Sequence, residues 1–89
     1  MARVTFTQNI QRHVACPPCD APGRSVAEVL DHVFRTNDRA KRYVLDEHGE
    51  VRKHMVIFVN GRAIKDRVRL SDGVKDGDNV CVMQALSGG

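Results

Sequence analysis

Two stretches of this 89-residue chain have residue types and spacing that bear on chemistry: the end, Ala85-Leu86-Ser87-Gly88-Gly89, and the pair in Cys16-Pro17-Pro18-Cys19. A carboxylate at the end of such a tail is ionised at neutral pH and is a poor electrophile. It reacts once one of its oxygens belongs to a good leaving group, which adenylation by an ATP-binding partner supplies. Two terminal residues without Cβ atoms pass through a narrow channel and accept whatever backbone angles that channel imposes. Residues 85–89, fully extended, span at most ~17 Å, enough to reach from a docked body into a cleft. Ser-Gly-Gly is also linker chemistry, but here it follows directly on an apolar stretch. The tail reads as a handle on which other enzymes act, with Gly89 the reacting group and Gly88 giving access to it.

The cysteine pair is a weaker signal. A redox C-x-x-C belongs at a helix N-terminus, where the dipole lowers a thiol pKa, and the nearest helix start, at Ser25, lies six residues beyond Cys19. Zinc requires four ligands; Cys16, Cys19 and His13 provide three, and Cys81 belongs to an apolar strand. An ordinary strand end and loop is the expectation, with no metal site. His13, His32, His48 and His54 show no ligand spacing, and no nucleophile–base arrangement or phosphate loop is present. The chain reads as a substrate of enzymes, not as an enzyme.

The elements that must position the tail follow from periodicity. Residues 3–7 alternate, with Val4 and Phe6 on one face, as a half-buried strand does. Residues 8–11 read as a turn, and 11–16 as a second strand closed by Pro17 and Pro18, neither of which can donate to a ladder; 20–23 then form a loop. Ser25-Val26-Ala27-Glu28 is a capping box. It opens a helix whose apolar residues Val26, Val29, Leu30, Val33 and Phe34 fall on one face. Residues 39–42 suit one more helical turn, and 43–45 a short strand. Met55-Val56-Ile57-Phe58-Val59 is an apolar strand, and Asn60-Gly61 is the strongest two-residue hairpin signal. Residues 65–74 are irregular, with Val68, Leu70 and Val74 as plugs. Asp76-Gly77-Asp78 turns the chain into a last strand over 79–85.

One helix covers one face of such a sheet, yet the strands at 55–59 and 80–83 are apolar on both alternating faces. An exposed apolar patch is therefore expected near Ile57, Val59, Val82 and Met83, and such patches mark partner surfaces. Ala85, Leu86 and Ser87 would lead from it to the reactive end. The expected organisation is one domain over 1–85 with a tail over 86–89.

Net charge is +3, and the basic runs are Arg39-Ala40-Lys41-Arg42 and 62–69. Only Tyr43 adjoins a basic run, so the stacking aromatics of a nucleic-acid surface are missing. These runs read as solvated faces, or as the complement of an acidic protein partner. No apolar run reaches membrane-spanning length, and no signal peptide is expected, because the start is already a strand. Three unpaired cysteines then suggest a reducing, cytoplasmic setting.

Taken together, Val59-Asn60-Gly61, Asp76-Gly77-Asp78, the apolar strand from Val80 to Ala85 and Gly88-Gly89, in that order, resemble the MoaD/ThiS family of ubiquitin-like sulfur carriers. The resemblance implies an α+β, β-grasp fold: a mixed sheet of four to five strands, one main helix on one face and a flexible tail. It implies that an adenylating enzyme of the ubiquitin-activating type, using its own ATP, forms an acyl-adenylate on Gly89. A persulfide donor then leaves a thiocarboxylate, which a downstream synthase consumes in making thiamine, molybdopterin or cysteine. No permanently bound cofactor is implied. The alternative is a ubiquitin-like modifier joined to lysines through Gly89. The Cys16/Cys19 pair departs from the family pattern.

Overall fold

The apolar stripe expected from Val26 to Phe34 forms helix α2, Val26–Phe34, and its N-terminus shows how local sequence fixes it. The Ser25 hydroxyl accepts from the Glu28 amide at 3.2 Å, and the Glu28 carboxylate reaches back to the Arg24 amide at 3.1 Å. Two further N–H groups of the first turn are satisfied from a distant loop: Val26 donates to the Asp72 carbonyl and Ala27 to that of Leu70. All the donors a helix start leaves open that these groups represent are thus met by side chains or by residues 65–74.

The computed structural model describes residues 1–85. Around α2, the chain forms β1 (Ala2–Phe6), α1 (Gln8–Gln11), β2 (Cys19–Ala21), α3 (Asp38–Val44), β3 (Met55–Val59), β4 (Arg62–Ala63) and β5 (Asn79–Gln84). The sheet order is β2-β1-β5-β3-β4, with β1 and β5 parallel and every other pair antiparallel. The last strand is therefore the centre of the sheet. Val4, Phe6, Met55, Ile57, Val80 and Val82 point from it into one aliphatic core with Val26, Val29, Leu30 and Phe34 of α2. Asn60 (φ 51°) and Gly61 (φ 84°) close β3–β4 with both central residues left-handed, the backbone that a two-residue hairpin demands.

Three expectations are corrected. The second strand lies at Cys19–Ala21, after the prolines and partly inside the expected loop, whereas 8–11 is helical. Ile10 and Val14 are buried at helical spacing, and Ile10 holds the turn by accepting from the His13 and Val14 amides. Pro17 and Pro18 cannot join a ladder, so pairing with β1 begins only at Cys19. Second, Tyr43 and Val44 complete α3 and form no strand; the Asn37 side chain caps that helix by accepting from the Ala40 amide, and Ala40 and Val44 are buried one turn apart. Only Leu45 makes a bridge, to Val51. Third, Leu70 and Val74 are buried as expected, but Val68 is 56% exposed. The 65–74 loop is held instead by carboxylates: Asp66 accepts from the Val68, Arg69 and Ser71 amides and from the Ser71 hydroxyl, and Asp72 from those of Lys65 and Asp66. These donors, the Ser71 hydroxyl first, lower the Asp66 pKa to about 2. Among the described residues, no helix is long and apolar enough to cross a membrane.

Candidate functional site at the end of the central strand

The chain reaches its tail from the middle of the sheet. The positions expected to react or lead in, Leu86, Ser87, Gly88 and Gly89, lie outside the described residues; Ala85 is the last one described. What holds the root of the tail is well defined. The Ala85 amide donates to the His54 carbonyl at 2.8 Å, extending the β3–β5 ladder one residue past Gln84. On the other side the Tyr43 hydroxyl donates to Gln84 Oε1 at 2.8 Å, and the His13 ring stacks on Tyr43 with centroids 5.6 Å apart. One group from α3, Tyr43, and one from the turn before β3, His54, therefore clamp the last residues of β5, with His13 stacked on Tyr43. Tyr43 went unrecognised in the sequence because it was placed on a strand; its i+3 spacing from the buried Ala40 was the available sign.

Parity along the strands then sorts the expected patch. Ile57 pairs with Val82, and both are fully buried (0% exposed) beneath the helices. They cannot form an exposed surface, and that expectation is corrected. Val59 shares their parity and packs partly against the core. Their neighbours Val56 and Met83, also cross-strand partners, face the other way, and Met83 is 38% exposed. In the next row Thr5, Cys81, Phe58 and Ala63 lie side by side across β1, β5, β3 and β4. In the last, Asp20, Arg3 and Asn79 do so. The open face thus runs from a polar far edge through an apolar middle to the strand end that carries the tail. A one-residue shift separates the two sets, because side chains alternate strictly across a strand.

Cys16 and Cys19 are free thiols on either side of the two prolines. Cys16 is buried with its thiol donating to the Val14 carbonyl, and burial raises its pKa. Cys19 is half-buried and also raised, by burial first and then by Asp20. Both shifts favour the inert thiol over the thiolate. Among the described residues, no group of three or more His, Cys, Asp or Glu side chains is arranged to hold a metal ion.

A sequence model of the ThiS family matches residues 18–89, most of the chain and its whole C-terminal half. The chain belongs to the ThiS family. Solved structures agree with this at the level of fold. A chain of the Amycolatopsis orientalis BexX/CysO complex superposes with a TM-score of 0.82 at 23% identity, covering 100% of both chains. SAMP1 from Haloferax volcanii gives 0.77 at 22%, covering 99% of this chain and 98% of that one. CysO from Mycobacterium tuberculosis gives 0.80 at 18%, covering 97% and 100%. No curated protein sequence matches. The ThiS-family fold is the β-grasp expected from the motifs: the mixed five-stranded sheet, the main helix α2 packed into its core and a C-terminal strand at its centre.

Proposed function

We propose that this ThiS-family chain is a sulfur carrier whose working group is the Gly89 carboxylate. The observation that carries the reading is that the family match runs through residue 89, immediately beyond a strand whose end is clamped by Tyr43 and His54. A rigid root with a glycine end suits presentation to another protein's active site. In the first step a Gly89 carboxylate oxygen attacks the α-phosphorus of ATP held by an adenylating enzyme of the ubiquitin-activating type; pyrophosphate leaves. A persulfide sulfur then attacks the acyl carbon and expels AMP. Cleavage of the resulting S–S bond by a thiol, which is oxidised to a disulfide with the donor sulfur, leaves the thiocarboxylate. A downstream synthase consumes it. The chain brings no cofactor of its own, and ATP stays with the partner.

The open face supplies the docking surface in this reading, with Val56, Phe58, Cys81 and Met83 replacing the buried Ile57 and Val82. That relatives engage proteins is consistent with it: the Amycolatopsis orientalis chain was solved in the BexX/CysO complex. Removing Gly88-Gly89 is expected to abolish ATP–pyrophosphate exchange with the activating enzyme while leaving the fold intact, since the five described strands are complete by Gln84. Exchange by the truncated chain overturns the assignment. The fold is shared with H. volcanii small archaeal modifier protein 1, so the second outcome to look for is Gly89 joined to a lysine. Mass spectrometry of protein from its own cells separates the two: one oxygen replaced by sulfur marks the carrier, an isopeptide bond the modifier.

A further inference from the structure

Charges that alternate freely along the sequence are sorted by the fold. All eleven side-chain carboxylates fall within residues 20–50 and 66–78, so the segments 1–19, 51–65 and 79–85 carry none. Those three segments build β1, α1, β3, β4 and β5, which is the whole sheet except its β2 edge. Three of the carboxylates, Asp20, Asp76 and Asp78, gather at the end of the sheet away from the tail. There Asp20 lies beside Arg3, Asp76 meets the Met1 amine, and Asp78 accepts from the Asn60 side chain.

The tail end carries both signs: the loop that the Leu45–Val51 bridge closes brings Asp46, Glu47 and Glu50, with Asp46 beside Arg52, and further cations surround the strand end itself. His54 holds Ala85, and Lys53 precedes it on an exposed turn; His13 stacks over the tyrosine that holds Gln84, and the exposed Arg12 precedes that. The Arg67 guanidinium donates to the Arg52 and Met55 carbonyls where β3 begins, at the same end. Among the described residues, none of Arg12, Lys53 and Arg67 lies within ion-pair distance of a carboxylate. The carboxylate of the nearest helix, Asp38 of α3, is engaged by Arg42 at 3.0 Å.

We infer that the tail root and the open sheet face dock on a protein whose apolar contact is rimmed by carboxylates on the side where the tail enters. The inference rests on the carrier reading and adds the chemistry of the partner. An apolar centre of Val56, Phe58, Cys81 and Met83 supplies contact that survives salt; the unpaired cations beside it supply steering. Complementary fields of this kind speed encounter by one to three orders of magnitude and fade as salt rises. Fixed cations at the strand end also orient the encounter, so that the tail arrives first at the cleft and the acidic end of the sheet faces away. A nucleic acid fits less well, because Phe58 is the one aromatic on the open face and no stacking row accompanies it.

The test uses the full chain with the adenylating enzyme from its own cells, reading kcat and KM for ATP–pyrophosphate exchange at low and high salt. The double variant Arg12→Glu/Lys53→Glu is compared with Arg24→Glu/Lys75→Glu, the same change of net charge on the acid-bearing segments. The expected result at low salt is a rise in KM on the order of tenfold for the first pair, with kcat nearly unchanged. The second pair should move it less than about twofold, and the gap should close at high salt. Equal effects of the two pairs, or a gap that ignores salt, overturn the inference while the carrier reading stands. No exchange by the unaltered chain overturns both. Salt-sensitive binding of a single-stranded polyuridine oligonucleotide that only the first pair abolishes would reassign these cations to nucleic acid and overturn the inference.

Discussion

The two faces of β3 and β5 are built from the same kinds of residue and do opposite work. On one face Ile57 and Val82 meet across the strands at 0% exposure, in one core with the buried residues of α2 and α3. One residue along each strand, Val56 and Met83 meet on the opposite face, where Met83 is 38% exposed. Apolar side chains on the first face drive folding by leaving water. Those on the second, half-buried at Val56 and more exposed at Met83, keep part of their transfer free energy for association. The central position of β5 joins the two roles, because the strand that anchors the core is also the one that delivers the tail.

That contrast is broken most directly by shortening one side chain on each face. Ile57→Ala is expected to cost about 2–5 kcal/mol in urea denaturation, the range for a deeply buried residue that leaves a cavity. Met83→Ala should cost no more than about 0.5 kcal/mol, as exposed sites do. Similar losses at both positions would mean that the second face is covered in the folded monomer. Reversing the readout sharpens the point: Met83→Asp should raise the KM of the chain as a substrate on the order of tenfold, a typical loss for a central contact residue. If that variant is activated as well as the unaltered chain, the open face is not where the partner sits.

Acid should act on neither face but on the loops, and most on the one that caps α2. Asp66 has a folded pKa of about 2, below its unfolded value of about 3.9. A depressed carboxylate contributes stability that is fully present above the unfolded value and lost as pH falls through the folded one. Asp46, Asp72, Asp76 and Asp78 are shifted the same way. Urea midpoints should therefore fall between about pH 4 and about pH 2, and Asp66→Asn should flatten that slope. A midpoint indifferent to acid would contradict the role given to the loop. A modest and local change is expected from Tyr43→Phe. It removes the bond to Gln84 but keeps the ring under His13, so it should cost about 1 kcal/mol and raise amide exchange at Ala85 more than at Val80.

Much of this was legible in the residues. The capping box and stripe of α2, the Asn60-Gly61 turn and the final strand are local signals, and local signals survive folding because no distant contact opposes them. The stretch from Gln8 to Ala21 was misread because Ile10, Val14 and Cys16 fit both periods, and only pairing with β1 after the prolines decides the register. Tyr43 was misplaced for a related reason: the cap at Asn37 extends α3 through an apolar triplet that alone suits a strand. The open face was legible as a surplus of apolar residues, but not in its membership. Which of two alternating sets turns outward depends on where the helices land, and Ile57 and Val82 were assigned to the wrong side.

The most direct measurement is the intact mass of the full chain after incubation with ATP, its adenylating enzyme and a persulfide donor, followed by fragmentation of the end. A carrier shows one oxygen exchanged for sulfur at Gly89, only when ATP is present and never in a chain lacking Gly88-Gly89. A terminal glycine left unchanged by the complete mixture, or sulfur found on Cys16, Cys19 or Cys81 in its place, contradicts the account.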